Sequence, residues 1–392
     1  MLHYSFSTVL MTVLANNLLM LLLTFIFQRS KLMIKVGYRL LAVFTCFTVL
    51  RFLLPFEFPF AVRKPFPELI SRGIVFIGNK RFNMDGFRFS LWQIFEVVWI
   101  IGILVGLFVY IRDYIRISRY ISAYGIDVSH KPEIHSVIQD ICKGKQKSVS
   151  FQIMELSGLA APMIFGIRKP CVLLPSLESI PKEDLYFILQ HETMHYFHHD
   201  LFFKSFIKFL AIIYWWNPAS FILNRQVNVL LEMHVDSTLT KNDSTITEQY
   251  LQCILRLLKS SGSQQASIPK YIASAPLTFC SEKVSDMNKR FQMLTYSKKQ
   301  NRSNTLNITI FIFVLGIYLL SYLYIFEPWY IPPEIEQTTF HLTEENSYFI
   351  ENGKDRYDVY YNGKYIETID DPENYIDGIK IYNAKGELID EN

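Results

Sequence analysis

Four long apolar runs separated by polar segments organise this chain. Tyr4 to Phe27 is interrupted only by Asn16 and Asn17. At 1.5 Å per residue it is long enough to span a bilayer, and it lacks the basic start and small-residue cleavage site of a signal peptide, so it predicts a retained membrane helix. Met33 to Phe56 predicts a second, with Arg39 and Arg51 near its ends, where such side chains reach the headgroups. Leu91 to Ile111, containing Glu96, predicts a third, and Leu306 to Phe326 a fourth. Glu96 and Arg51 fall at similar depth; they either pair across two helices, or Glu96 reaches the headgroups by itself.

Basic residues orient these spans. Arg29, Lys31 and Lys35 follow the first helix, Arg112, Arg116 and Arg119 follow the third, and Lys298, Lys299 and Arg302 precede the fourth. All three sites read as cytoplasmic, which puts both termini outside. The loop 57–88, placed outside by parity, holds Arg63, Lys64, Arg72, Lys80, Arg81 and Arg88 and is outvoted by the three flanks. The expected organisation is a three-helix membrane region (1–111), a cytoplasmic α+β domain (112–305), a fourth membrane helix (306–326) and a small β-rich extracellular module (327–392). Acidic residues outnumber basic ones sixteen to five in that last segment, and Asn352-Gly353, Asn362-Gly363 and Lys385-Gly386 give it turn signals.

Composition agrees with a membrane protein. Half of the 392 residues are hydrophobic, and a formal net charge of +3 offers nothing to nucleic acid. The five cysteines fall in a membrane helix or the cytoplasmic block, with no spacing that fits a disulfide framework or a thiolate zinc site.

Chemistry enters at His191-Glu192-Thr193-Met194-His195. Imidazoles four apart on a helix face one metal ion from a single rod, and the glutamate between them is placed to take the proton of a metal-bound water as general base. A single zinc ion needs a third protein ligand. Glu232, on the next apolar helix, is the candidate, with Asp236 one turn on to hold a ligand imidazole from behind; alternatively the two acids form a solvated helix face. Asp200, five residues beyond His195, is a further candidate for that outer role. His234 or Arg225 are candidate donors to the tetrahedral intermediate. His198 and His199 read as exposed residues of a helix end rather than ligands of a second metal.

Other segments are fitted around that motif. Ser157 to Pro175 reads as two strands with a turn, whose prolines favour edge positions; the strands either receive an extended peptide there or only pack beneath the zinc helix. Ser179 is expected to cap the zinc helix, with Pro181 in its first turn. Leu201 to Pro218 looks membrane-like but cannot cross, because His191 and Glu232 would then lie on opposite sides. It is expected to lie in or dip into the membrane surface, with Lys204, Lys208, Trp215 and Trp216 at the headgroups, or to form a buried core helix. The polar, basic segment 285–294 is a candidate self-cleavage site, around Arg290-Phe291.

These motifs together, with Ala161-Pro-Met-Ile-Phe-Gly-Ile-Arg-Lys-Pro170, Trp216-Asn217-Pro218 and Glu232-x-x-x-Asp236, resemble the integral-membrane zinc metallopeptidases of the β-lactam-sensing antirepressor (Bla/Mec receptor) family over roughly residues 1–326. The resemblance implies a cytoplasm-facing gluzincin domain in a bacterial plasma membrane, with His191, His195 and Glu232 on zinc, Glu192 as base, activation coupled to self-cleavage, and cleavage of a winged-helix repressor as partner. It leaves a homodimer open. Receptors of that family end in a large penicillin-binding sensor, whereas a short acidic module is expected here, so the input signal is not implied. Two alternatives stay open: a quality-control or prenyl-protein-processing gluzincin, and a non-catalytic membrane signalling scaffold holding structural zinc.

Overall fold

The computed structural model describes residues 6–56, 58–79, 81–84, 87–146, 148–149, 151–159, 161–240, 243–263, 284–296 and 304–327, and, in the C-terminal segment, 342, 346–352, 356–369, 379–383 and 387–391. Two compact units form: Met1–Phe66 with Phe76–Glu327, and Pro67–Val75 with Pro328–Asn392.

In the larger unit, three helices among the described residues are long and apolar enough to cross a membrane: α1 (Phe6–Gln28), α5 (Leu91–Tyr124) and α12 (Asn304–Leu323). The second predicted span is not continuous. Gly37, at φ 78°, separates α2 (Ser30–Val36) from α3 (Tyr38–Leu53), and the two are bent by 90°. A left-handed φ costs glycine little, and this is where the apolar run turns. The third helix overruns its predicted end by more than three turns, with Arg112 bonded to its neighbour Asp113 at 2.7 Å. α12 ends at Leu323 and gives way to β8 (Tyr324–Glu327), which pairs in parallel with β1 (Val62–Pro65). The chain therefore leaves α3 and α12 at the same end of the bundle.

Arg51 corrects a sequence expectation. It is 1% exposed and donates to Leu54 O (2.8 Å), Ser321 Oγ (3.0 Å) and Ser321 O (3.1 Å), with its guanidinium 4.1 Å from the Tyr322 ring centroid. Glu96 is exposed on α5 and is not its partner. Carbonyls at a helix end and an aromatic face satisfy the guanidinium, so no carboxylate is required.

The run after the zinc-helix motif forms a hairpin of α8 (Asp200–Ile213) and α9 (Pro218–Thr240). It is set by contacts at both ends. At its tip, Tyr214 Oη donates to Phe52 O (3.0 Å) and Trp99 Nε1 to Ile213 O (2.7 Å). At the other end Ser237 Oγ lies 3.3 Å from Tyr38 Oη. α9 thus runs antiparallel to α3 along its whole length, and the hairpin dips among the apolar helices rather than lying flat. Phe202, Phe209, Trp216 and Phe221 are exposed on the hairpin. Lys204, expected at the headgroups, is buried on the inward face with Ile207 and Ala211.

Beside the hairpin stands a four-stranded sheet in the order β4 (Ile126–Asp127), β5 (Gln152–Glu155), β7 (Cys171–Leu174), β6 (Met163–Phe165). β7 is fully buried between β5 and β6 despite the prolines that flank it, because Pro170 and Pro175 lie just outside the strand, where no ladder donor is missing. β6, one of the two edge strands, packs against α7 (Lys182–Phe197) with its three side chains buried. The α7 N-cap is Pro181, and Ser179 belongs to the preceding 3₁₀ turn, so the serine cap is not formed; Glu183 and Asp184 do occupy the first turn. Val172, Leu174, Leu189 and Val235 are almost solvent-free and join sheet, α7 and α9 into one core.

The smaller unit contains a five-stranded sheet in the order β11 (Lys364–Ile369), β10 (Tyr357–Tyr361), β9 (Ser347–Glu351), β12 (Lys380–Tyr382), β13 (Leu388–Glu391). Asn362 and Gly363, at φ 46° and 77°, make the β10–β11 turn. Gly353 and Lys385-Gly386 lie outside the described residues, as do Cys280 and the basic residues at 298, 299 and 302.

Candidate active site

α7 and α9 bring three donor atoms together. His191 Nε2 and His195 Nε2 are 3.1 Å apart, His191 Nε2 is 3.1 Å from Glu232 Oε2, and His195 Nε2 is 3.4 Å from Glu232 Oε1. Ligand atoms about 2.0–2.1 Å from a tetrahedral zinc ion stand roughly 3.3 Å from one another, which is the size of this triangle.

The proton inventory points the same way. His195 Nδ1 donates to Asp200 Oδ2 at 2.6 Å. The backbone at His199, φ 58°, folds α8 back so that Asp200, its first residue, meets the imidazole five positions earlier. On the other side, Tyr250 Oη donates to Asp236 Oδ1 (2.7 Å) and stands 2.8 Å from His191 Nδ1. With the tyrosine hydrogen committed to the carboxylate, His191 Nδ1 must be the donor in that second bond. Both imidazoles therefore direct Nε2 lone pairs at each other and at a carboxylate. Three acceptors facing one another without a hydrogen between them are a cation site.

Charge is balanced around it. Glu192, Asp200, Glu232 and Asp236 are all buried or nearly so; among the described residues the buried cations paired with them are Lys204 and Arg290. Lys204 Nζ lies 3.1 Å from Glu232 Oε1. Arg290 donates from Nε to Asp236 Oδ2 and from Nη2 to Oδ1, both at 2.8 Å, and its Nη1 is 3.4 Å from Glu232 Oε2. Four carboxylates against two cations, with neutral imidazoles, leave a deficit that one divalent ion makes up. Burial would raise the pKa of Glu232, but His195, Lys204 and Arg290 hold it well below the usual carboxylate range. For His195, burial acts downward; Glu232, against Lys204, and the hydrogen bonds to Asp200 and Glu232 prevail and push it up to about 9 when a proton fills the triangle. Burial, then Asp236, raises Tyr250 well above 10, so it remains a neutral donor.

Glu192 is 7% exposed, and among the described residues no hydrogen bond or ion pair engages its carboxylate.

Several sequence expectations are redirected. Asp236 reaches His191 through the Tyr250 hydroxyl, its own oxygen standing 3.8 Å from Nδ1. Arg225 points away from the triangle and binds Asp286 at 2.7 and 2.9 Å. His234 stacks on His198 (ring centroids 4.6 Å) and faces Tyr38 (6.0 Å) rather than the ligands. Arg290-Phe291 lies inside helix α11 (Val284–Tyr296), with Arg290 buried against the site. A helical bond whose side chain is so engaged is not presented as extended substrate. Tyr250, Lys204 and Arg290 are the participants that sequence reasoning missed. For Lys204 the available signal was its place on the inward stripe with Ile207 and Ala211.

A family model described as BlaR1 peptidase M56 matches residues 79–294. The methicillin resistance mecR1 protein of Staphylococcus aureus is 29% identical over 128 residues, 32% of this chain and 21% of that protein. Regulatory protein BlaR1 of Bacillus licheniformis is 25% identical over 165 residues, 41% of this chain and 27% of that protein. The matched stretch thus spans about a fifth to a quarter of these relatives' length.

Proposed function

This chain belongs to the BlaR1 peptidase M56 family, and from that premise we propose that it is a membrane-embedded zinc metalloendopeptidase of signal transduction that cleaves a cytoplasmic protein, a transcriptional repressor. The observation that carries the reading is the triangle of His191, His195 and Glu232 acceptors, with Glu192 the residue that follows the first of them on α7.

Zinc held there supplies Lewis acidity and lowers the pKa of water towards ~7. Glu192 accepts the proton of the attacking water and passes it to the leaving amide nitrogen as the carbon–nitrogen bond breaks. Asp200 and the Tyr250–Asp236 pair hold the two imidazoles in the tautomer that leaves Nε2 free. The basic residues just after α1 and those in the second half of α5 (Arg112, Arg116 and Arg119) support a cytoplasmic active site, opposite the end where α3 and α12 leave the bundle.

Replacing Glu192 by Gln keeps the metal ligands and removes the base. Cells carrying E192Q should accumulate the intact repressor on induction while the purified variant keeps its zinc. Continued cleavage by E192Q would reject the hydrolytic assignment. The exposed aromatic residues of α8, which begin two residues beyond Asp200, favour a second reading, cleavage of membrane proteins in quality control. Many stabilised membrane proteins in E192Q cells, instead of one stabilised repressor, would select it.

A further inference from the structure

Arg290 comes from outside the α7–α9 framework that carries the ligands. It sits on α11 with 6% exposure, yet both carboxylates it meets, Asp236 at 2.8 Å and Glu232 at 3.4 Å, belong to α9. Asp236 in turn receives the Tyr250 hydroxyl that takes the His191 proton. One guanidinium thus stands behind a ligand carboxylate and behind the chain that orients a ligand imidazole. A second ion pair clips α11 to α9 nearer its start: Arg225 binds Asp286 at 2.7 and 2.9 Å, and Lys289 adds a 2.9 Å bond to the same carboxylate. α11 also packs on α2, and α2 touches α12, the last membrane helix.

We infer that Arg290 is a positioning residue for the metal site, and that α11, docked through Arg225–Asp286, is the strap that holds it there. The inference rests on the metallopeptidase reading and adds to it a route by which displacement of α11 relative to α9 weakens the site. Withdrawing the guanidinium leaves Asp236 buried without its bidentate partner, so the Tyr250 hydroxyl and the His191 ring lose their fixed orientation. Outer partners of this sort set metal affinity by about 10–100-fold.

The test uses the full-length protein in detergent, with zinc affinity read by competition against a chromophoric chelator. Arg290→Gln should weaken zinc binding by about 10–100-fold. Arg290→Lys should recover only part, because an ammonium cannot hold both carboxylate oxygens in one plane. Asp286→Asn, which undocks α11 without touching the metal-site residues, should also weaken binding. The double variant should be no weaker than Arg290→Gln alone, since both act through one contact. A folded Arg290→Gln protein binding zinc within about twofold of the parent would overturn the inference, as would additive losses in the double variant. If Arg290→Gln does not fold, unchanged zinc affinity in Asp286→Asn overturns it instead. Either result leaves the cleavage test on Glu192 intact, so the two readings fail separately.

Discussion

Asp200→Asn is the perturbation whose size the structure defines best. Asp200 and His195 are 3% and 4% exposed, and their hydrogen bond is 2.6 Å. A buried bond to a charged partner contributes about 1.5–3 kcal/mol, which at about 1.4 kcal/mol per tenfold is roughly a 10–150-fold loss of metal affinity. Protons complicate the reading in a useful way. His195 titrates at about 9 without the metal, so below that pH a cation must displace a proton, and parental affinity rises about tenfold per pH unit up to about 9 and then levels. Removing the Asp200 charge takes away one of the supports of the imidazolium, after Glu232, and its pKa falls. The variant then suffers less proton competition. Its deficit should be largest near pH 9 and shrink towards pH 6.5. Chelator competition across that range measures both curves. A parental affinity independent of pH, or a variant deficit that is constant or grows as pH falls, would refute the reasoning.

Three other outcomes follow from the same contacts. Lys204→Met strips a buried cation from Glu232, a loss of about 3–5 kcal/mol where nothing replaces it, so the melting temperature should drop further in chelator than in zinc, where the metal still neutralises the carboxylate. Leu174→Ala, at a solvent-free position of β7 away from the ligands, should cost about 2–5 kcal/mol of stability while the zinc content of the folded protein is unchanged. Arg51→Gln removes donors shared between α3 and α12, each worth about 0.6–2 kcal/mol in a membrane, and should lower the melting temperature in detergent without changing chelator-measured zinc affinity.

What was legible in the sequence was local. The i, i+4 spacing of His191 and His195 belongs to one helix, and Asp200 is reached by a single turn at His199, so periodicity alone placed them near each other. Glu232 was reachable only through the chemical demand for a third ligand. Tyr250 and Arg290 were not legible, because each meets Asp236 from another helix, across 14 and 54 residues of chain, and nothing in an amphipathic pattern names the partner. Lys204 is expected at the headgroups when the run is read as a membrane-surface element, and it lies inward because it shares a stripe with Ile207 and Ala211, as the alternative of a buried core helix implies. The interrupted second span had its signal in Gly37, which hydropathy counts as neutral and backbone geometry treats as a corner. Spacing leaves open whether Arg51 pairs with Glu96; the structure satisfies its guanidinium with carbonyls, a serine hydroxyl and a tyrosine face from elements that the apolar pattern does not name.

X-ray absorption at the zinc edge of the purified full-length protein tests most directly that His191, His195 and Glu232 share one ion. Two imidazoles and one or two oxygen donors at about 2.0–2.2 Å, with no sulfur near about 2.3 Å, are predicted, and one imidazole should disappear from the spectrum in His191→Ala. Sulfur ligation, or a spectrum that His191→Ala leaves unchanged, would contradict the metal site on which the hydrolytic reading stands.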